Sequence, residues 1–239
     1  MKAMILAAGL GTRLKPFTNH HPKALAVVNG KTLLQRNIEY LIEFGVAEII
    51  VNVHHFASQI KEVIEANKGW GAHITISDET QEVLETGGGL KKTAWFFQDS
   101  DKPFVLLNVD ILTDLDLNAL MVSHLANQAL VTLAVSNRIT SRYFLFDETH
   151  NLCGWENVKT DQKIITRTNT RLTRKAFSGL HIISPKIFDF MTQTGKFSMV
   201  DVYLELSENH KILGFDQGDC KFLDVGKPES IAMAEAIFI

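Results

Sequence analysis

A chain of 239 residues, 46% hydrophobic and 21% charged, has the composition of a soluble globular protein and is long enough for one large α/β domain or two small ones. A formal net charge of −3 gives no general attraction for nucleic acid, so any anion must be held by a local group of side chains. The longest apolar runs are of strand length, which predicts no membrane-spanning helix and no membrane partner.

Met1-Lys2-Ala3 runs straight into the first apolar stretch, Ala3–Ala7, which reads as a buried parallel strand. That start leaves no room for a signal peptide and predicts a cytoplasmic protein. Thr32-Leu33-Leu34-Gln35 has capping-box spacing, and Leu34, Ile38, Leu41 and Ile42 then fall on one helical stripe stopped by Gly45. Glu48–Val53 reads as strand, with His54 and His55 at its end. Ile60, Val63 and Ile64 mark a helix ending near Gly69, followed by a strand over Ala72–Ser77 and a helix over Gly88–Phe97. Phe104–Val109 is a very apolar strand leading into Asp110. Leu117–Ala126 and Ala129–Val135 add another helix and strand. This alternation predicts an α/β fold with a doubly wound, mostly parallel mixed sheet.

After Asn137 the rhythm changes. The segments from Ser141 to Val158 and from Lys163 to Ser184 read as hairpins, with turns at Thr149–Asn151 and Asp161, and predict a β-rich lobe. Ser184-Pro185 opens a helix containing Ile187, Phe188 and Met191. KFLDV gives a late strand, and Pro228 stands at the first turn of a last helix. With no repeat and no linker, one domain over 1–239 is expected, in two parts, 1–136 and the lobe with the last helix at 137–239. Cys153 and Cys220 form no metal or redox motif and are expected as buried, reduced thiols. Trp70, Trp95 and Trp155 are expected to pack.

The stretch AMILAAGLGTRLKPFT raises the functional question. Gly9 and Gly11 free the backbone to approach a ligand at the end of the first strand, a common place for one in an open α/β sheet. The dinucleotide fingerprint fails, because its third glycine position is Leu14, and Lys23 stands too far beyond Gly11 for a Walker loop. What remains is a glycine turn with Arg13, Lys15 and Lys23 behind it.

From Leu6 to Leu34 the sequence closely resembles the N-terminal signature of the sugar-1-phosphate nucleotidyltransferases, matching Leu6–Gly9, Gly11–Leu14, Pro16, Thr18, Pro22-Lys23 and Gly30-Lys31. The likeness continues in LETGGG (Leu84–Gly89), NVDI (Asn108–Ile111), FSGLHIISPKIF and DVGKPESIA, and so spans nearly the whole chain. Within that family it is most similar to the short bacterial members without a C-terminal β-helix. The resemblance implies transfer of a nucleotidyl group from a nucleoside triphosphate to a sugar 1-phosphate, with release of pyrophosphate.

By that resemblance, Arg13 and Lys23 are the catalytic cations. Arg13 would hold the β- and γ-phosphates, and Lys23 would reach the α-phosphate or the sugar phosphate. As a loop lysine, Lys23 is expected to contribute little to the core. Ala8, Gly9, Gly11, Thr12 and Gly88 join them in binding the nucleotide, with Gly88, Ala8 and Gly9 reading the base. Uridine is preferred, ahead of thymidine and guanosine. Asn108 and the Gly179 main chain would hold sugar hydroxyls. Asp110 and Asp224, each closing a strand on one sheet edge, would hold Mg²⁺, which favours such an oxygen-rich site. Val109 replaces the usual glycine of the family and would crowd the ribose side of the pocket that the resemblance implies. A segment whose lysine grips the sugar phosphate in relatives is missing, leaving Arg138, Arg142 and Arg174 as substitutes. Asp78, Asp114, Asp116 and Asp201 read as turn or helix-end residues. N-acetylmuramate 1-phosphate or a related hexose 1-phosphate is the implied acceptor, and a monomer or small homo-oligomer the implied state. A mannose- or heptose-1-phosphate guanylyltransferase and a non-catalytic sugar-nucleotide sensor are the alternatives.

Overall fold

The computed structural model describes residues 1–168 and 171–238; residues 169–170, inside the second hairpin segment, and residue 239 lie outside the described residues. The chain opens with β1 (Lys2–Leu6) and crosses the end of that strand in three short 3-10 turns, Thr12–Leu14, Phe17–Asn19 and Lys23–Leu25. A small hairpin follows, β2 (Val27–Val28) and β3 (Lys31–Thr32). α1 (Leu33–Glu43) begins where the capping spacing predicts: the Gln35 backbone N–H donates to the Thr32 hydroxyl at 3.1 Å. Gly45, at φ 75°, supplies the left-handed stop that a side chain would oppose. Next come β4 (Glu48–Val53), α2 (Ala57–Ala66) and β5 (His73–Asp78).

The one helix expected over 88–97 is two, α3 (Glu85–Lys92) and α4 (Ala94–Phe97). The division falls at Thr93, which is completely buried and whose hydroxyl donates back to the Leu90 carbonyl, competing with the helical ladder. β6 (Phe104–Asn108), β7 (Ile111–Thr113), α5 (Leu117–Ala126) and β8 (Val131–Ser136) complete the first half. The second half runs β9 (Arg142–Phe146), β10 (Leu152–Asn157), β11 (Gln162–Ile165), β12 (Thr173–Ile183), α6 (Ile187–Phe190), α7 (Met199–Ser207), β13 (Ile212–Asp216), β14 (Phe222–Asp224) and α8 (Pro228–Ile237).

The central mixed sheet runs β11-β10-β9-β12-β6-β1-β4-β5, with β8 on the far part of β12 and β13 on β8. Strands β6, β1, β4 and β5 are parallel. The β-rich segment after Asn137 does not stand apart: β12 is eleven residues long, pairs β6 with one part and β9 with another, and so extends the same sheet. Alternation along β1 decides the two faces. Ala3 and Ile5 join the layer under α1, α2 and α5, whereas Met4 joins the layer under α3, α4 and α7. The sheet is therefore covered on both sides, as doubly wound folds require.

Several single residues differ from expectation. Trp70 and Trp155 pack against the two core layers, but Trp95 is 64% exposed on the short α4. Cys153 is buried and Cys220 only half-buried; both are free, and burial raises both thiol pKa values. His54 and His55 close β4, where the His54 ring pairs the Glu79 carbonyl at 2.6 Å. Among the described residues, no helix is long and apolar enough to cross a membrane.

Candidate active site

Parallel pairing brings the carboxyl ends of β1, β4 and β6 to one edge, and there a cavity of about 530 Å³ opens. Its near wall is the backbone of Ala7 to Arg13. Asn108, Val109 and Asp110 line its floor, and Val83, Glu85, Thr86 and Lys196 its far wall.

The two glycines of the near wall serve different ends. Gly11 has a φ of 61°, and a Cβ there would stand 2.9 Å from Thr18 Cγ2 and 3.1 Å from Lys23 Cβ, so the tight turn itself excludes a side chain. The Thr18 hydroxyl and the Leu14 N–H both donate to the Gly11 carbonyl at 2.9 Å and lock the turn. At Gly9 a Cβ would meet no atom within 4 Å; the space it would fill is the cavity. The loop start is fixed from below, where Ala7 N–H donates to Asn52 Oδ1 at 2.7 Å.

Lys23 departs from the expectation that a loop lysine contributes little to the core. It is only 9% exposed, and its ammonium forms a short ion pair with the Asp110 carboxylate. Arg13 stays more than half exposed, with its guanidinium 3.8 Å from Asp224. Backbone pairing brings Asp224 next to Asp110 in the chain fold, but off the central sheet: β14 pairs with β7 in a separate two-stranded sheet, with Asp224 opposite Ile111 and the Val225 N–H donating to the Asp110 carbonyl at 2.8 Å. Asp224 Oδ1 is buried with no hydrogen-bond partner. An orphaned carboxylate oxygen beside a second carboxylate fits a hard divalent cation that takes its other ligands from phosphate and water. No cluster of three or more His, Cys, Asp or Glu exists among the described residues, so any such ion would rest on this pair.

Ala8, Gly9, Gly11, Thr12, Arg13, Lys23, Asn108 and Asp110 all line the cavity. Gly179, at φ 73° in an irregularity of β12, lies against Asn108: a Cβ there would be 3.0 Å from Asn108 Nδ2. Gly88 is the exception. It is buried in α3, its N–H and that of Gly87 point to the Phe197 carbonyl, and a Cβ would come within 2.2 Å of the Gly195 carbonyl oxygen. Its glycine character comes from helix-to-loop packing, not from approach to a base; Val83, Glu85 and Thr86 form the wall instead. Val109 lines the cavity while also packing into the core, and its carbonyl accepts from Asn37.

Of the arginines considered for the sugar phosphate, Arg174 is tied to Glu156 and Arg142 is exposed at the start of β9. Arg138 bonds the Phe177 carbonyl at 2.8 Å, close to Gly179 in sequence. Lys15 is exposed outside the cavity. Asp116 caps α5, Asp114 accepts from Lys221 N–H, and Asp78 pairs Lys61, as turn residues should. Asn52 and Lys196 escaped the sequence reading. A buried strand asparagine and a loop lysine carry no local signal, and only the fold brings them to this cavity.

A model of the nucleotidyl transferase family matches residues 2–145. The N-acetylmuramate alpha-1-phosphate uridylyltransferase of Caulobacter vibrioides is 30% identical over 98% of this chain and 95% of its own length. The chain belongs to the sugar-1-phosphate nucleotidyltransferase family. The mannose-1-phosphate guanylyltransferase catalytic subunit beta of Drosophila melanogaster is 26% identical over 100% of this chain but only 63% of its own length. Among solved structures, HddC from Yersinia pseudotuberculosis complexed with GMP-PN superposes with a TM-score of 0.79 at 25% identity, over 100% of this chain and 99% of that one. The chemistry of that family is transfer of a nucleotidyl group onto a sugar 1-phosphate.

Proposed function

We propose that the protein joins UTP to N-acetylmuramate 1-phosphate, or a related hexose 1-phosphate, and releases pyrophosphate. The observation that carries the uridylyl reading is the match to the Caulobacter relative, which runs nearly end to end in both chains, whereas the Drosophila guanylyltransferase is matched over less than two thirds of its length.

The acceptor is a phosphate oxygen already ionised at neutral pH, so the reaction needs positioning and charge neutralisation more than a proton acceptor. Arg13, exposed at the cavity mouth, has the fork geometry to grip the β- and γ-phosphates and to meet the charge that accumulates on the leaving pyrophosphate. Lys23 pairs with Asp110 and would swing its ammonium toward the α-phosphate as the nucleotide enters. The acceptor oxygen then bonds the α-phosphorus as the α–β bridging bond breaks. Lys196 is the remaining cation on the cavity wall and suits the acceptor's own phosphate. Mg²⁺, held by Asp110 and Asp224, would supply further charge neutralisation at the transferred phosphate.

A guanylyltransferase is the second reading, favoured by the HddC likeness. A non-catalytic sensor is disfavoured by the presence of Arg13, Lys23, Asp110 and Asp224 together. Pyrophosphate release should be measured with UTP, dTTP, GTP and CTP against a panel of sugar 1-phosphates. The reading expects UTP to be used best; a tenfold preference for GTP would overturn the base assignment.

A further inference from the structure

A second cavity, of about 520 Å³, lies at the same sheet edge beyond β14, where β8 and β13 end. Its lining includes Ser136, Arg138, Gln217 and Phe222. Three of these present a buried polar atom with no partner: Ser136 Oγ, Arg138 Nε and Gln217 Oε1. Ser136 is 7% and Gln217 6% exposed, so neither atom has water as an easy substitute. Among the described residues these buried groups converge on one opening, where a polar ligand would satisfy them.

Arg138 sets the charge such a ligand must have. Its guanidinium lies over the Phe222 ring, 5.1 Å from the centroid, and gives one N–H to the Phe177 carbonyl. A guanidinium has five donors, and among the described residues Arg138 has no carboxylate within ion-pair distance. Burial lowers its pKa, an effect that Asp224 and Tyr143 oppose only in part. Among the described residues Arg138 is the one cation of the lining; Lys175 neutralises Asp216 and Asp219 also faces the cavity, so a singly charged group suits it better than a phosphate dianion.

The position ties this cavity to the reaction. Phe222 and Asp224 alternate with Leu223 along β14, so the ring under Arg138 and the carboxylate at the active site share one strand face. The Phe177 carbonyl that Arg138 holds is two residues from Gly179, which touches Asn108 in the first cavity. Only this strand and this turn separate an acceptor held in the first cavity by its phosphate from Arg138.

We propose that Arg138, with Ser136 and Gln217, receives a carboxylate carried by the acceptor sugar and so selects acidic over neutral sugar 1-phosphates. This rests on the reading of the first cavity as a sugar-1-phosphate transfer site. The test compares N-acetylmuramate 1-phosphate with N-acetylglucosamine 1-phosphate, which lacks the acidic substituent, in wild type, Arg138→Gln and Arg138→Lys, using whichever nucleotide is turned over best. The wild-type protein favours the acidic acceptor. Arg138→Gln lowers the ratio of the two kcat/KM values about 10–100-fold, the loss of one charge-assisted contact, mainly through KM. Arg138→Lys falls between, because a point charge keeps the attraction without the fork. A wild-type enzyme that uses the neutral acceptor equally well overturns the inference while leaving the transfer reading intact. So does an Arg138→Gln variant that loses both acceptors in proportion, since that is what a merely structural tie to Phe177 would do. Absence of turnover with every nucleotide and acceptor overturns the transfer reading itself and the inference with it.

Discussion

Lys23 shows how a single residue joins stability to function. A lysine between Pro22 and Ala24 reads as solvated, because nothing nearby in sequence balances its charge. The partner, Asp110, lies 87 residues away and arrives only when β6 pairs with β1. With both side chains largely buried, Lys23→Ala leaves a carboxylate without its cation and should cost about 1–3 kcal/mol of folding stability, besides abolishing most turnover. The double variant Lys23→Ala/Asp110→Ala removes both charges and should recover part of that stability with no recovery of activity. Urea denaturation of the three proteins checks this. A single variant as stable as the wild type would show that the pair carries no structural weight.

At the scale of an element, glycines that look alike in sequence prove to have opposite reasons. In α3, Gly88 is small because the Gly195 carbonyl packs directly on it, whereas Gly9 is small where the cavity begins. Gly88→Ala should therefore destabilise the fold by about 1–3 kcal/mol, as overpacking does. Gly9→Ala should keep the wild-type melting temperature and raise the KM for the nucleotide about tenfold, the effect of roughly 1.4 kcal/mol of lost binding. Thermal melting and steady-state kinetics of the two variants check both halves; a destabilised Gly9→Ala with unchanged nucleotide KM would contradict the assignment. The sequence shows a glycine excess but not what stands opposite it, so the resemblance placed Gly88 at the base when its N–H is already taken by Phe197. The break at Thr93 is hidden for the same reason, since it depends on burial of a hydroxyl that looks compatible with helix.

For the whole molecule, local pattern and fold agree where one element decides its own form. The Thr32 cap, the apolar β6 and Pro228 at the start of α8 are all where their residues place them. The glycine loop and Arg13 were legible because they lie in one strand-loop unit, and Asp110 because it follows a very apolar strand. What was not legible is what tertiary pairing creates: β12 bridging the two halves of one sheet, β14 leaving that sheet to pair β7, and Asn52 and Lys196 reaching the cavity. That pairing with β7 brings Asp224 to Asp110, and the proposed transfer depends on the two acting as a unit. The decisive measurement is pyrophosphate release from UTP and a sugar 1-phosphate, as a function of Mg²⁺, by the wild type, Asp110→Asn, Asp224→Asn and the double variant. The account predicts Mg²⁺-dependent release by the wild type, losses of orders of magnitude in each single variant, and a double variant hardly worse than the worse single one. Additive losses, or a single variant with wild-type dependence on Mg²⁺, would contradict it.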